Sequence, residues 1–172
     1  MTNNALHWYV AYVRSCQERK SSEALTRLGV EHYLPIQRVK RQYRDRIKNV
    51  EQLVLPRMIF IRTFEAKRIK LLSEIYGLAA YMTSGGPYHP VIVPDRQLED
   101  FRMMVQHGEG RVKVSSAHFS PGDKVVIAAG PLKGLSCELI SVGDKRCVAI
   151  YLGSIGTATL EVSPEDLIPD VQ

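Results

Sequence analysis

Apolar residues in the first thirty positions form a strand pattern followed by a helix pattern. The run 8–13 is apolar at both parities, which is typical of a strand that is buried on both faces. Ser15 and Glu18 have the spacing of a capping box, Leu25 belongs to a narrow inward stripe, and Gly29 stands where a helix would end. This pattern predicts a buried strand followed by a helix of about four turns.

The next part of the chain continues this alternation up to about residue 107. The pattern predicts strands over 31–39, 53–62 and 78–83, a helix over 66–75, and a helix that begins at Asp95. Pro35 and Pro56 lie inside the first two of these strands and indicate an edge or a bulge. In a β-α-β-β-α-β order with right-handed crossovers, the first two helices lie on the same face of one sheet.

The last third of the chain has a different pattern, with short apolar runs separated by glycine and proline. Residues 108–118 lack apolar periodicity and are the predicted linker. Strands are predicted over 124–128, 136–142, 146–151 and 157–162, with a tight hairpin at Gly143 and Asp144. Because closure removes vulnerable edges, strands this short favour a small closed barrel of the SH3-like type.

One face of the predicted N-terminal sheet has no obvious cover. Alternation places Met58 and Phe60 on one side of their strand, beside Val10 and Tyr12 of the first strand. Monomeric proteins rarely expose a contiguous apolar patch of this kind, so it is a candidate partner site. The alternative is that the third helix or the C-terminal barrel covers this face.

Charge is distributed unevenly along the 172 residues, whose net charge is +5. Residues 1–62 carry 12 Lys and Arg against 5 Asp and Glu, whereas residues 119–172 carry 4 against 7. The densest basic stretch has Tyr43 in its middle and contains Arg38, Lys40, Arg41, Arg44, Arg46 and Lys48. Such a stretch is either a surface that meets phosphate or a solvated, extended hairpin.

Several classes of protein are disfavoured by what the sequence lacks. No apolar run approaches the ~20 residues that span a bilayer. Cys16, Cys137 and Cys147 are an odd set without C-x-x-C spacing, which is typical of a reducing compartment and argues against disulfides or a zinc site. The five histidines are scattered, and no nucleophile or phosphate-loop motif is present. We therefore expect a cytoplasmic protein, not an enzyme, with no membrane association, metal or cofactor.

Motifs along the whole chain resemble the NusG family of transcription elongation factors. The N-terminal motifs are Trp8-Tyr9-Val10, then Arg14-Ser15-x-Gln17-Glu18-x-Lys20, then Leu55-Pro56-Arg57-Met58-Ile59-Phe60-Ile61, and Gly77 before a strand. Ser120-Pro121-Gly122-Asp123-Lys124-Val125-Val126-Ile127 and Gly130-Pro131-Leu132-Lys133-Gly134 look like a KOW motif, and Ile155-Gly156-Thr157-Ala158-Thr159 is similar to the later strand of a KOW barrel. The long basic insert and the Leu-Pro segment look more like the specialised RfaH and UpxY branches than the general factor. The resemblance is greatest to UpxY-type antiterminators, which act on capsule polysaccharide operons.

This resemblance implies an α+β fold in two domains. An N-terminal NusG-like α/β plait with an antiparallel sheet would span 1–107, the linker 108–118, and a small all-β SH3-like KOW barrel 119–172. It also implies an antitermination factor that docks on the clamp helices of the RNA polymerase largest subunit and suppresses pausing or termination. Tyr12, Leu55, Met58 and Phe60 are at the positions that match the family's polymerase-binding face.

Nucleic-acid contacts follow from the same resemblance and from the basic stretch. Arg14, Lys20 and Arg27 match positions at which RfaH-like proteins contact the exposed non-template DNA strand. Arg41 and Arg44 of the basic stretch are further candidates for contact with DNA or with nascent leader RNA.

The chain also departs from the family pattern. Cys137 stands where the KOW glycine is expected, and Ile155 stands where the general factor presents an aromatic to the ribosome, so a ribosomal contact has weak support. The C-terminal segment is rich in β-branched residues and glycine, so a constitutive barrel is expected. The competing interpretation is a ribosome- or RNA-binding KOW protein.

Overall fold

The computed structural model describes residues 5–117, 119 and 122–171. Its helices are α1 (Glu18–Arg27), α2 (Glu65–Glu74) and α3 (Asp95–His107). Its first seven strands are β1 (His7–Val13), β2 (His32–Tyr33), β3 (Ile36–Gln42), β4 (Ile47–Leu53), β5 (Met58–Thr63), β6 (Leu78–Tyr81) and β7 (Ile92–Val93). The remaining strands are β8 (Lys113–Ser115), β9 (Asp123–Ile127), β10 (Ser136–Val142), β11 (Lys145–Tyr151), β12 (Thr157–Glu161) and β13 (Leu167–Pro169).

The chain divides into two compact units that interleave in sequence. The first unit comprises Met1–Pro35 and Leu55–Asp95, and the second comprises Ile36–Val54 and Arg96–Gln172. The hairpin β3–β4 and nearly all of α3 therefore group with the C-terminal strands. The domain boundaries inferred from the sequence remain a prediction, and the strand β8 lies inside the predicted linker 108–118.

The first unit contains an antiparallel sheet with the order β2-β5-β1-β6, and β7 also pairs with β1. One face of this sheet forms a core with α1 and α2, which contribute Leu25 and Leu71. The strands contribute Tyr9, Ala11 and Ile59 among others to the same core. The α+β class is thus confirmed, as is the prediction that the first two helices lie on one face.

Helix α1 is shorter than predicted and begins without the expected capping box. It has ten residues, its N-cap is Gln17, and no side chain caps it. The Glu18 carboxylate does not reach back to a cap residue, because it accepts a hydrogen bond from the backbone N–H of Arg57. The end of α1 agrees with the prediction, since Gly29 follows the C-cap with a φ of 64°.

Both predicted strands that contain a proline are interrupted. The predicted strand 31–39 divides into β2, which pairs with β5, and β3, which pairs with β4, and Pro35 lies between them. The predicted strand 53–62 divides into β4 and β5, separated by a turn that contains Pro56. A proline cannot donate to a strand ladder, so the chain leaves one sheet and enters another at these two points.

The second unit contains a six-stranded antiparallel sheet with the order β13-β9-β10-β11-β12-β8. All four strands predicted for this region are present, and Gly143 in the β10–β11 turn has a φ of 61°. The expected closure is wrong for the described residues, because this pairing path has free ends at β13 and β8. His118 of the predicted linker, and Ser120 and Pro121 of the KOW-like motif, lie outside the described residues.

No helix within the described part of the chain is both long and apolar enough to cross a membrane.

Candidate functional site

An apolar pair marks one end of the two central strands of the first unit. Tyr12 and Met58 are Cα partners in the β1–β5 register, and Tyr12 is also paired with Ala80 of β6. Because opposed residues of an antiparallel pair share a sheet face, these three side chains project on the same side. Tyr12 is 38% exposed, Ala80 is exposed and Met58 is half-buried, so this end of the face is accessible.

The rest of the predicted apolar patch is not exposed. Val10 and Phe60, the next Cα pair on the same face of the sheet, are fully buried, and Leu55 is buried as well. Phe60 lies on a strand with neighbours on both sides, and the Tyr33 ring from β2 stacks on it with centroids 6.0 Å apart. The prediction of a contiguous bare patch is therefore wrong for Val10 and Phe60, whereas Tyr12 and Met58 remain accessible. Leu55, which only the family resemblance assigned to the polymerase-binding face, is also buried.

The turn that leads into Met58 is tied to the start of α1. Arg57 has a φ of 62°, an unusual value for a residue with a side chain, and its N–H donates to Glu18 Oε1 at 3.1 Å. The Arg57 guanidinium and backbone oxygen both bond to the backbone of Val13, at 3.4 and 2.8 Å. Glu18 is buried, so its carboxylate acts as a fixed anchor for this turn. This anchor holds the turn that immediately precedes Met58, which the β1–β5 register places opposite Tyr12.

A cation lies at the same end of β1. Arg14 donates from Nε to the backbone oxygen of Tyr76 at 2.9 Å, and its guanidinium carbon lies 5.0 Å from the centroid of the Tyr76 ring. Its backbone N–H also donates to Gly77. Tyr76 is 77% exposed. Arg14 is thus held in an exposed cation–π pair that leaves guanidinium donors accessible to an anion.

Helix α1 carries the two other predicted nucleic-acid residues of the first unit. Lys20 and Arg27 are exposed and seven residues apart, which places them on one helix strip with a separation of about 10 Å along the axis. Neither makes an ion pair with another described residue. They remain available for an external partner.

The basic stretch forms a two-stranded hairpin. Within the described residues β3 and β4 pair only with each other, and Arg41 lies directly opposite Lys48 in their register. Arg44 lies in the tip turn, where the Tyr43 N–H donates to the Arg46 oxygen at 2.8 Å. All residues from 40 to 49 are exposed. Arg41 and Arg44 therefore belong to the second unit, and Arg14, Lys20 and Arg27 to the first.

The base of this hairpin is fixed within the second unit. The buried Gln37 side chain donates to the Val112 oxygen at 3.0 Å and accepts from the Val112 N–H at 3.2 Å, as a neighbouring strand would. Gly110, with a φ of 75°, lies so close to the Arg38 oxygen that a Cβ there would overlap it. These contacts anchor residues 36–38, whereas the distal half of the hairpin extends into solvent.

The remaining predicted site residue, Ile155, is buried in a single 3₁₀ turn. Cys137 is buried in β10, and burial raises the pKa of its thiol to about 12. In residues 5–117, 119 and 122–171, no group of three or more His, Cys, Asp or Glu side chains could hold a metal ion.

The opposite face of the first sheet holds a polar network under α2. Tyr9 donates to Glu65 at 3.0 Å, Glu65 pairs with Arg68, and the Arg68 guanidinium lies over the rings of Tyr9 and Tyr81. Burial, and then the Glu65 carboxylate, raise the pKa of Tyr9 to about 12. The hydrogen bond from Arg68 lowers the pKa of Glu65. This network fixes α2 on the sheet.

Two residues near the accessible pair were not predicted as part of a site. The sequence predicts Glu18 as a capping residue, and nothing in the sequence around Glu18 indicates its hydrogen bond to the distant Arg57. Tyr76 stands between the end of α2 and Gly77, where a single exposed aromatic could have suggested a surface contact.

Comparison with known proteins gives the family. A family model described as transcription termination factor NusG matches residues 6–102, which is more than half of the chain. The chain belongs to the NusG family, whose members are transcription elongation and antitermination factors rather than enzymes. A search of curated proteins found no match.

A solved structure with a TM-score above 0.5 shows the same fold. The chain is similar to a structure described as "Domain interaction in Thermotoga maritima NusG", with 17% identity, 98% coverage of each chain and a TM-score of 0.53. It also aligns with a structure of an MjSpt4:Spt5 complex, conformation B, at 15% identity over 96% of this chain and 97% of that one, with a TM-score of 0.32. The first similarity extends over the C-terminal strands, beyond the residues that the family model covers.

Proposed function

We propose that this protein binds RNA polymerase in the cytoplasm and suppresses pausing or termination at a restricted set of operons, of the capsular polysaccharide type. Family membership supports the polymerase as the partner. The long basic hairpin supports an operon-specific factor, because its exposed cations would add a nucleic-acid contact to the chain. The C-terminal strands, from β9 onward, act as a KOW module in this proposal.

The observation that carries the proposal is the accessible pair Tyr12–Met58 at the end of β1 and β5. Tyr12 and Met58 would contact the clamp helices of the polymerase directly. Leu55 and Phe60 are buried, so their part is to support the two contact residues from below. Aromatic and methionine side chains of this kind are enriched in the cores of protein interfaces.

Basic residues extend this surface toward nucleic acid. Arg14 follows Tyr12 by two residues and is held by Tyr76. A polymerase that covers Tyr12 would therefore bring the DNA and RNA that it carries near Arg14. Arg14, Lys20 and Arg27 would contact the exposed non-template DNA strand. Arg41 and Arg44 would contribute a second contact from the hairpin.

The experiment is a binding titration of the nuclease-treated protein against purified bacterial core RNA polymerase. Met58→Glu places a charge in the accessible pair and should weaken binding at least tenfold, because it would bury an unpaired carboxylate at the interface. Ile69→Glu is the matched control, since Ile69 is 59% exposed on α2 and lies outside the proposed surface. Phe60→Glu is unsuitable, because Phe60 is fully buried and its replacement would unfold the sheet.

A parallel assay would measure read-through of a pause site and a terminator in purified transcription reactions. We expect wild type and Ile69→Glu to increase read-through, and Met58→Glu to have little effect. Equal polymerase binding by all three proteins would refute the proposed surface. Binding to isolated small ribosomal subunits, with none to polymerase, would favour a ribosome-binding protein instead.

A further inference from the structure

The distal hairpin has two unlike faces. In the β3–β4 register Arg41 opposes Lys48, and the Tyr43–Arg46 hydrogen bond continues the same pairing by two residues. Alternation therefore places Arg41, Tyr43, Arg46 and Lys48 on one face, which we call the stacking face. The other face carries Lys40, Gln42, Ile47 and Asn49. Over the eight paired residues 40–43 and 46–49, three cations and an aromatic thus lie on one side of the ribbon and a single cation lies on the other, while Arg44 and Asp45 form the tip.

Among the described residues, no acidic side chain, the neighbouring Asp45 of the tip included, forms an ion pair with the cations of the stacking face. Like charges that are directly opposed across a ladder destabilise a hairpin, because their Cβ atoms are only about 5 Å apart. In the described part of the chain, no ion pair or side-chain hydrogen bond involves Arg41, Arg46 or Lys48. A bound anion between Arg41 and Lys48 would relieve this repulsion.

The aromatic residue makes the surface more specific than a general anion site. Tyr43 is 46% exposed at the tip and follows Arg41 by two positions, about 7 Å along the strand. A phosphodiester strand presents an anionic phosphate and a flat base at each step, and unpaired bases stack on exposed aromatic rings. A duplex does not offer the faces of its bases, so Tyr43 would have no stacking partner there.

We propose that the stacking face binds an unpaired nucleic-acid strand, with a base on Tyr43 and phosphates at Arg41, Lys48 and Arg46. This inference deepens the proposed function and rests on it for its setting, because an elongation complex exposes both unpaired DNA and nascent RNA. The preference for an unpaired nucleic-acid strand is argued from the hairpin alone, so the test does not require polymerase.

The test is a fluorescence anisotropy titration of the full chain with three labelled probes. These are a 12-nucleotide oligothymidylate, a 12-nucleotide oligouridylate and a 12-base-pair DNA duplex. We expect both single strands to bind at least tenfold more tightly than the duplex, and the tighter of the two identifies DNA or RNA as the natural strand. Tyr43→Ala should weaken single-strand binding about tenfold, and Tyr43→Phe should retain it.

Matched variants separate stacking from general charge. The double variant Arg41→Gln/Lys48→Gln should reduce the slope of log affinity against log salt by about 1.4, which corresponds to two phosphates on a single strand. Lys40→Gln on the opposite face should reduce the slope by less than either single replacement on the stacking face. Tyr88→Ala removes a tyrosine that is 89% exposed outside the hairpin and should leave binding unchanged.

Several results would overturn this inference. They are equal binding of duplex and single strands, wild-type affinity in Tyr43→Ala, an effect of Lys40→Gln as large as that of Lys48→Gln, or no binding by the wild type. Because no polymerase is present, a failure here leaves the Met58→Glu result untouched, and a failure of that experiment leaves this one untouched.

Discussion

The contact between α1 and β6 has an unusual arrangement that leads to a sharp prediction. The Ser21 side chain is fully buried on α1, and its hydroxyl has no hydrogen-bond partner in the structure. Gly77, the residue that precedes β6, faces this hydroxyl, and a Cβ at Gly77 would overlap the Ser21 oxygen and approach Gln17 Cβ to 3.1 Å. Helix and strand thus approach closely at a position where the helix carries an unsatisfied polar group.

Replacing Ser21 with alanine should stabilise the protein. The replacement removes a buried hydroxyl whose desolvation is not compensated, a penalty of about 1–3 kcal/mol. Alanine also has a higher helix propensity than serine, by roughly 0.5 kcal/mol. The change deletes one atom, so the loss of packing is small. We expect the free energy of unfolding to rise by about 1–2 kcal/mol.

Gly77→Ala alone should destabilise the protein by about 1–3 kcal/mol, because the new methyl group overlaps the Ser21 hydroxyl. In the double variant Ser21→Ala/Gly77→Ala the overlapping oxygen is absent, and the 3.1 Å approach to Gln17 remains. The double variant should therefore be more stable than the sum of the single effects, with a coupling of about 1 kcal/mol or more.

The assay is urea denaturation followed by tryptophan fluorescence. Trp8 is the only tryptophan of the sequence and is buried on β1, so its emission reports on the first unit. Ser22→Ala is the matched control on the same helix, because the Ser22 hydroxyl is bonded to His32 Nε2 at 2.8 Å. In Ser22→Ala, the loss of that hydrogen bond should cancel or exceed the stabilisation from the higher helix propensity of alanine. The reasoning is refuted if Ser21→Ala destabilises the protein or if the two replacements are additive.

Three further predictions concern the packing of each unit. The raised pKa of Tyr9 means that its unfolded form ionises from pH 10 while the folded form resists until about pH 12, so stability should fall over this interval by up to about 2.7 kcal/mol. Alkaline denaturation of Tyr9→Phe should lack this component, and an unchanged pH profile would contradict the assignment. Gln37→Ala leaves both backbone groups of Val112 unpaired and should cost about 2 kcal/mol or more in thermal or urea denaturation, whereas the exposed Gln42→Ala should be nearly neutral. Gly122→Ala would force a methyl group onto the backbone oxygen of Leu139 and should disrupt the β9–β10 pairing. We expect the amide protons of this pair to lose their protection in hydrogen exchange, and protection at the wild-type level would contradict this reasoning.

Elements set by local chemistry could be predicted closely from the sequence. β10 has the predicted bounds, Gly143 closes its turn, and α2 lies within one residue of the prediction at each end. These elements depend on apolar periodicity and on residues with special backbone preferences, both of which are encoded within a few positions. The same holds for the end of α1 at Gly29.

The errors arose where a distant part of the chain decides the outcome. Glu18 has the spacing of a capping residue, yet it bonds to a backbone N–H that is 39 positions away. Pro35 indicates an interruption, but nothing near it shows that β3 leaves the sheet of β2 and forms a hairpin of its own. The free ends of the C-terminal sheet likewise depend on strand pairing across the unit, which periodicity does not determine.

The candidate polymerase surface shows why accessibility is harder to predict than orientation. Alternation placed Val10, Tyr12, Met58 and Phe60 on one face, and the observed register agrees with this placement. The four nevertheless differ in exposure: Val10 and Phe60, in the middle of their strands, are fully buried, whereas Tyr12 at the end of the pair is 38% exposed and Met58 is half-buried. An alternation with a period of two identifies which residues share a sheet face, but it contains no information on which parts of that face are covered. Accessibility at a strand end, next to a turn held by the buried Glu18 carboxylate, is why Tyr12 and Met58 are proposed as contact residues and the buried Phe60 is not.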